Sequence, residues 1–209
     1  AVFPATRHGD EVISHGGMTY GGLILSPRLT QAAVLEVFAQ LGAHYAAAGC
    51  VRLLYKAVPH IFHRFPAEDD LYALHRLGAR LVRRDASSAV ALQEAYAFTK
   101  GRNWSVNKAR KAGLTVRRNP DPAAFHQLLT AVLARHGAAP VHSLDDMRLL
   151  MARFPERVVL YEAVRDEELC AGVWLFDKGG AVHAQYMATS ESGRDCGALD
   201  FLVAELMRV

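Results

Sequence analysis

Residues 157–189 constrain the fold of this chain most. Three apolar stretches, 157–165, 169–177 and 181–189, are separated by Asp166-Glu167 and by Lys178-Gly179-Gly180. Breaks this short and polar are hairpin turns, so the three stretches read as antiparallel neighbours in one sheet. Two helical patterns precede them. A polar loop, Ser190 to Gly197 (SESGRDCG), follows, and then a helix from about Ala198. This order predicts an α/β protein of the α+β type, with mostly antiparallel sheets flanked by helices.

The two preceding helices carry their own start and stop signals. Asp121 reads as an N-cap with Pro122 at the first helical position, and Gly137 as the stop. Phe125, Leu128, Leu129, Val132, Leu133 and His136 share one face. Ser143 to Asp146 has the S-x-x-D capping pattern. Met147, Leu150, Met151 and Phe154 form the expected buried side, and Pro155 ends the helix.

Upstream, residues 1–30 read as short strands and turns. The glycine-rich loop Ser14 to Gly22 precedes a short buried strand, Leu23-Ile24-Leu25. Residues 30–48 form the clearest helix, with Val34, Val37, Phe38, Leu41, Tyr45 and Ala48 on one stripe and Gly49 at its end. Val51 to Val58 reads as a strand. Residues 67–78 read as a short helix with Leu71, Leu74 and Leu77 on one side, and Leu81 to Leu92 as extended.

The main shift in composition lies at 100–118. Lys100, Arg102, Lys108, Arg110, Lys111, Arg117 and Arg118 occur there with no acidic residue among them. Asn103 to Ala112 is helical in pattern, Gly113 ends it, and Leu114-Thr115-Val116 is a strand. This segment reads as a bridge between a first half at 1–99 and a second at 119–209. A length of 209 residues permits two small domains at roughly 150 residues per typical domain. The basic run has three readings: a solvated helix face, a contact for an anionic cofactor or acceptor, or an RNA contact in which Trp104 stacks.

Composition closes off several classes. A hydrophobic fraction of 51% with 22% charged residues excludes wholesale disorder. A net charge of +3 is small for a protein that covers a long nucleic-acid surface. Cys50, Cys170 and Cys196 cannot pair completely and match no zinc spacing, which suits a reducing compartment. No apolar run is long enough to span a membrane and no signal peptide is visible, so a cytoplasmic location is expected. The chain starts without Met and ends at Leu206-Met207-Arg208-Val209 inside a helical pattern, which reads as a piece cut from a longer protein.

A loop that enters a helix presents unpaired N–H groups and the positive end of the helix dipole, an arrangement suited to phosphate. Ser190, Ser192, Gly193, Arg194 and Gly197 suit such a cradle, and an ordinary strand-to-helix turn is the rival reading. Strand, Arg194-x-x-Gly197, helix resembles the acyl-CoA loop of the GNAT acyltransferase superfamily, whose pattern is Gln/Arg-x-x-Gly-x-Gly/Ala. Here Ala198 follows Gly197 directly, and Leu199 stands at the last small position.

Three further segments are similar to the FemAB-like branch, built from two GNAT-type halves in tandem. Met18-Thr19-Tyr20-Gly21-Gly22-Leu23-Ile24, a long helix and Leu54-Tyr55-Lys56-Ala57-Val58-Pro59 resemble its first half. Arg102-Asn103 through Asn107-Lys108-Ala109-Arg110-Lys111-Ala112-Gly113 resembles the basic helix before its second half. Ser190 to Leu206 resembles its CoA-type loop and helix. The resemblance implies N-acyl transfer from acyl-CoA to a small-molecule or peptide amine, without a metal. It places the donor's amide arm at the strand edge near Met187 to Thr189, and its pyrophosphate at Ser192, Gly193, Arg194, Gly197 and Ala198.

Two other functions stay open: a FemAB-type aminoacyltransferase that uses aminoacyl-tRNA and a cell-wall precursor, and a non-catalytic binding module that keeps the fold. His15, Tyr20 and Gln185 are candidate substrate contacts. Tyr186 reads as core. His60 and His63 have a spacing of three but no third metal ligand nearby. Asp85 and Glu191 are candidate bases by polarity alone, and Cys196 sits before a helix start without a histidine partner, so no catalytic residue is assigned.

Overall fold

The computed structural model describes residues 1–94 and 96–208, so the helical reading of Val209 lies outside the described residues. The chain divides into two compact units, Ala1–Ser87 and Ser88–Val209. The division falls before residue 99, where the sequence reading set it.

The first unit is small. Strands β1 (Ala5–His8) and β2 (Glu11–Ser14) pair antiparallel, and β2 pairs parallel with β3 (Arg52–Leu54). The sheet is therefore mixed. Helix α1 (Gln31–Ala47) starts at Thr30, whose hydroxyl accepts from the Ala33 N–H, and Gly49 follows its end at φ 79°. Val34 and Phe38 of the expected stripe are buried beside Leu23 and Ala73, whereas Ala48 is exposed.

Three expectations for this unit fail. Leu23-Ile24-Leu25 is not a strand: Ile24 makes a single bridge to Val2 and is 59% exposed. The strand at 51–58 shrinks to β3, with a separate bridge from Lys56 to Gly21. Residues 81–92 pair with nothing as a strand. Helix α2 (Asp69–Arg76) forms, but it buries Ala73 and leaves Leu71 and Leu77 exposed.

The second unit holds the larger core. Strands β4 (Thr115–Arg118), β5 (Val158–Arg165), β6 (Glu168–Asp177) and β7 (Val182–Thr189) form an antiparallel sheet in the order β4-β5-β6-β7. Asp166 and Glu167 both take positive φ, 49° and 64°, as a two-residue hairpin with right-handed strand twist requires. One face of the sheet packs on α4 (Ala123–Ala134) and α5 (Leu144–Arg153) through Phe125, Leu129, Met147 and Met151. Gly172 lets the Phe125 ring approach, since a Cβ there would lie 2.4 Å from it. The other face packs Ala163, Ala171 and Val173 against Val106, Ala109, Phe201 and Leu202.

Those last residues come from α3 (Lys100–Lys111) and from α7 (Ala198–Leu206). The basic helix and β4 thus form part of the second unit's core, where the sequence reading set 100–118 apart as a bridge. α3 begins a turn earlier than Asn103 because Thr99 caps it. Ser143 and Asp146 form the full capping box at α5. Phe154, expected among the buried residues, is 50% exposed just past the end of α5.

The loop reading of Ser190–Gly197 needs the largest correction. Glu191–Cys196 is a helix, α6, capped by the Ser190 hydroxyl on the Gly193 N–H at 3.0 Å. Gly197, at φ 79°, breaks it from α7. No described helix is long and apolar enough to cross a membrane.

Candidate functional site

A cleft of about 350 Å³ opens at the C-terminal end of β7. Its walls are Met187, Ala188 and Thr189 of β7, Val132 of α4, Gly193 and Arg194 of α6, Gly197, the first turn of α7 and Arg102 of α3. β7 is the edge strand of its sheet, so one side of its backbone is not paired with another described strand. An unpaired edge is a row of N–H and C=O groups open to an extended ligand.

α7 begins at the cleft without a side-chain cap, because its N-cap is Gly197. Ala198, Leu199 and Asp200 occupy that first turn and line the cleft. The leading N–H groups of a helix have no intrahelical acceptor, and the helix dipole adds positive potential there. Two guanidinium groups stand beside them. Arg102 bonds the carboxylate of Asp200. Arg194, half-exposed, reaches Glu191 only at 3.7 Å, while Glu191 bonds Arg135 at 2.8 Å.

Six of the seven residues expected at the donor site, Met187, Thr189, Gly193, Arg194, Gly197 and Ala198, line this one cleft. Ser192 does not. Its hydroxyl donates to Glu168 Oε1 at 2.6 Å and lies 3.0 Å from that of Ser190. The two glycines make room for protein backbone. A Cβ on Gly193 would lie 2.0 Å from the Cys170 carbonyl oxygen, and one on Gly197 would lie 2.8 Å from that of Ser105. They let α6 meet β6 and the α6–α7 junction meet α3. Arg102, Val132 and Asp200 were not among the expected site residues.

Gln185 lies away from the cleft at a bulge: Tyr186 pairs with Trp174 and Ala184 with Leu175, so Gln185 is the extra residue. Tyr186, expected in the core, is half-buried and packs on the core. Its ring stacks on Trp174 and its hydroxyl accepts from the Val141 N–H and bonds His142 Nδ1 at 2.9 Å. Cys196 is buried, with its thiol on the Gly193 carbonyl.

His15 and Tyr20 belong to the first unit. His15 is exposed in a turn at φ 44°. Tyr20 stacks on Phe62 at 4.7 Å, and burial pushes its phenol up to about 12. Lys56 anchors their loop by donating to the carbonyls of His15 and Met18, and burial lowers its pKa. His60 pairs with Glu68 and His63 bonds the Val58 carbonyl. Among the described residues no three His, Cys, Asp or Glu side chains converge as a metal site.

Asp85 bonds Arg83 at an exposed position. A carboxylate that sequence reasoning passed over is Glu162 of β5, fully buried, whose Oε2 accepts from Arg117 at 3.1 Å and Asn119 at 2.9 Å. Its alternation with Leu160 marks an inward position, which was the available signal.

Residues 99–209 match the model of the acetyltransferase (GNAT) domain. The chain belongs to that family, and acyl transfer is the class of chemistry that defines it. Two solved structures share its fold. The C-terminal domain of a protein assigned as a lysylphosphatidylglycerol synthetase from Agrobacterium fabrum superposes with TM-score 0.66 at 16% identity. FemX superposes with TM-score 0.65 at 12% identity. Each match covers 98% of this chain, which spans 62% of the first structure and 71% of the second. No curated protein matches the chain in sequence.

Proposed function

We propose that the second unit moves an acyl group from acyl-CoA to an amine on a small molecule or peptide. The observation that carries this reading is the cleft itself. It joins an open strand edge, an uncapped helix start and two arginines, the three features an extended donor with a diphosphate needs. Met187 and Thr189 meet the amide arm, and the first turn of α7 with Arg194 and Arg102 meets the diphosphate.

The amine nitrogen attacks the thioester carbonyl, an oxyanion forms, and its collapse expels the CoA thiolate as the nitrogen loses a proton. Positioning and backbone N–H donors supply most of what such a step needs. The first unit, built on a smaller sheet, is a second GNAT-like half in this reading. An aminoacyl donor on tRNA is the second reading, favoured by the likeness to FemX.

Isothermal titration with CoA tests the donor site. Arg194→Ala removes one charge-assisted contact worth about 1.5–3 kcal/mol, so CoA affinity should fall by roughly tenfold or more. Gly197→Val is a poor probe of binding, because φ 79° and the 2.8 Å approach to Ser105 make it a folding variant. CoA binding that is absent, or unchanged by Arg194→Ala, would remove this assignment. A complex with aminoacyl-tRNA in its place would establish the second reading.

A further inference from the structure

The charges of α3 divide into two sets. Arg102 and Arg110 turn to α7 and bond Asp200 and Glu205. Lys100, Lys108 and Lys111 pair with no carboxylate among the described residues, and all three are exposed. These lysines and Trp104 fall at spacings of four, four and three, which is one face of a helix. The stripe is about 16 Å long at 1.5 Å per residue. Trp104 is 64% exposed in its middle, with the Lys108 ammonium 5.0 Å from its ring centre.

An exposed indole flanked by unpaired lysines on one flat helix face is not explained by packing. Val106 and Ala109 on the opposite face make the core contacts. Nor does it belong to the cleft, whose α3 residue is Arg102. We infer that this face docks the second unit on an anionic lipid surface. The three lysines meet lipid phosphates and Trp104 enters the headgroup layer.

Several observations favour a lipid surface over RNA. A straight stripe of long, flexible point charges meets a plane with all its members at once. Lys108 already covers the Trp104 ring, which blocks stacking of a base on that side, whereas ammonium and indole side by side suit the polar-apolar boundary of a bilayer. The chain's net charge of +3 is low for a polyelectrolyte partner.

The test is sedimentation of the full chain with vesicles of phosphatidylglycerol and phosphatidylcholine, against vesicles of phosphatidylcholine alone. Binding should require the anionic lipid and weaken with salt. Each Lys→Gln change at 100, 108 or 111 should lower partitioning roughly fivefold. Trp174 is fully buried, so a blue shift of emission on binding reports Trp104, and Trp104→Ala should abolish it. These exposed substitutions leave folding intact, which the circular dichroism melt checks. Equal binding to neutral vesicles, or partitioning unmoved by the triple lysine variant, overturns the proposal. So does tRNA binding that depends on these lysines in the absence of any vesicle binding.

Discussion

Gly193→Ala should cost this protein a large share of its stability, although it adds one methyl group. Ordinary contact begins near 3.4 Å, and the new Cβ would stand 2.0 Å from the Cys170 carbonyl oxygen. That atom is backbone in the middle layer of the sheet and cannot rotate aside. α6 must therefore retreat from β6 by about 1.4 Å to restore normal contact. The retreat breaks two bonds to the same oxygen, from the Ser190 N–H at 2.9 Å and the Ser190 hydroxyl at 3.2 Å. Overpacking costs about 1–3 kcal/mol and each lost bond about 0.5–1.5 kcal/mol. A total near 3 kcal/mol is a serious loss for a domain stable by about 5–15 kcal/mol. Urea unfolding followed by the buried Trp174 should show the midpoint lowered by roughly 1–2 M. Gly101→Ala, with nothing within 4 Å, is the control and should be neutral or slightly stabilising. A Gly193→Ala midpoint equal to that of the parent would refute the close approach of α6 to β6.

Gly197→Ala should also destabilise, by about 1–3 kcal/mol, and the loss should appear in urea midpoints without CoA present. Ser143→Ala dismantles the capping box and should cost about 0.5–2 kcal/mol, read as a lower melting temperature. Hydrogen bonds from Ser143 hold the Asp146 carboxyl below its usual range. That stabilisation is present above the ordinary carboxylate range and fades as pH falls through the lowered value, so Ser143→Ala should flatten the acid limb of the stability curve. Burial lowers the pKa of His183, so its protonation opposes folding. Stability should decline as pH falls below about 6.5, and His183→Gln should remove that part of the decline. An identical pH slope in both proteins would contradict it.

The part of this fold legible in the sequence is the part encoded by local rules. Three apolar stretches and the two short turns between them placed β5, β6 and β7 within a residue of where they lie. The capping box announced α5, and glycines at positive φ closed α1, α3 and α4. Each of these signals acts within a few residues, through dihedral preference or through a side chain that satisfies its own helix end. The first unit was less legible because its strands are three or four residues long, too short for alternation to show. The register bulge at Gln185 was likewise invisible, since one inserted residue leaves the pattern of apolar residues nearly unchanged.

The candidate site divides in the same way. Met187, Thr189, Arg194, Gly197 and Ala198 are neighbours along the chain, so one motif brought them into view together. Arg102 and Val132 reach the cleft from α3 and α4, far away in sequence, and only the packing of α3 on α7 and of α4 on β7 places them there. The same packing turned the polar run Ser190 to Cys196 from a loop into a helix. Its one glycine, Gly193, permits either state by itself. The contact with β6 decides: the Cys170 carbonyl of the sheet accepts from the Ser190 N–H and hydroxyl, and that hydroxyl in turn accepts from the Gly193 N–H, a hydrogen-bonded seat that an open loop does not have.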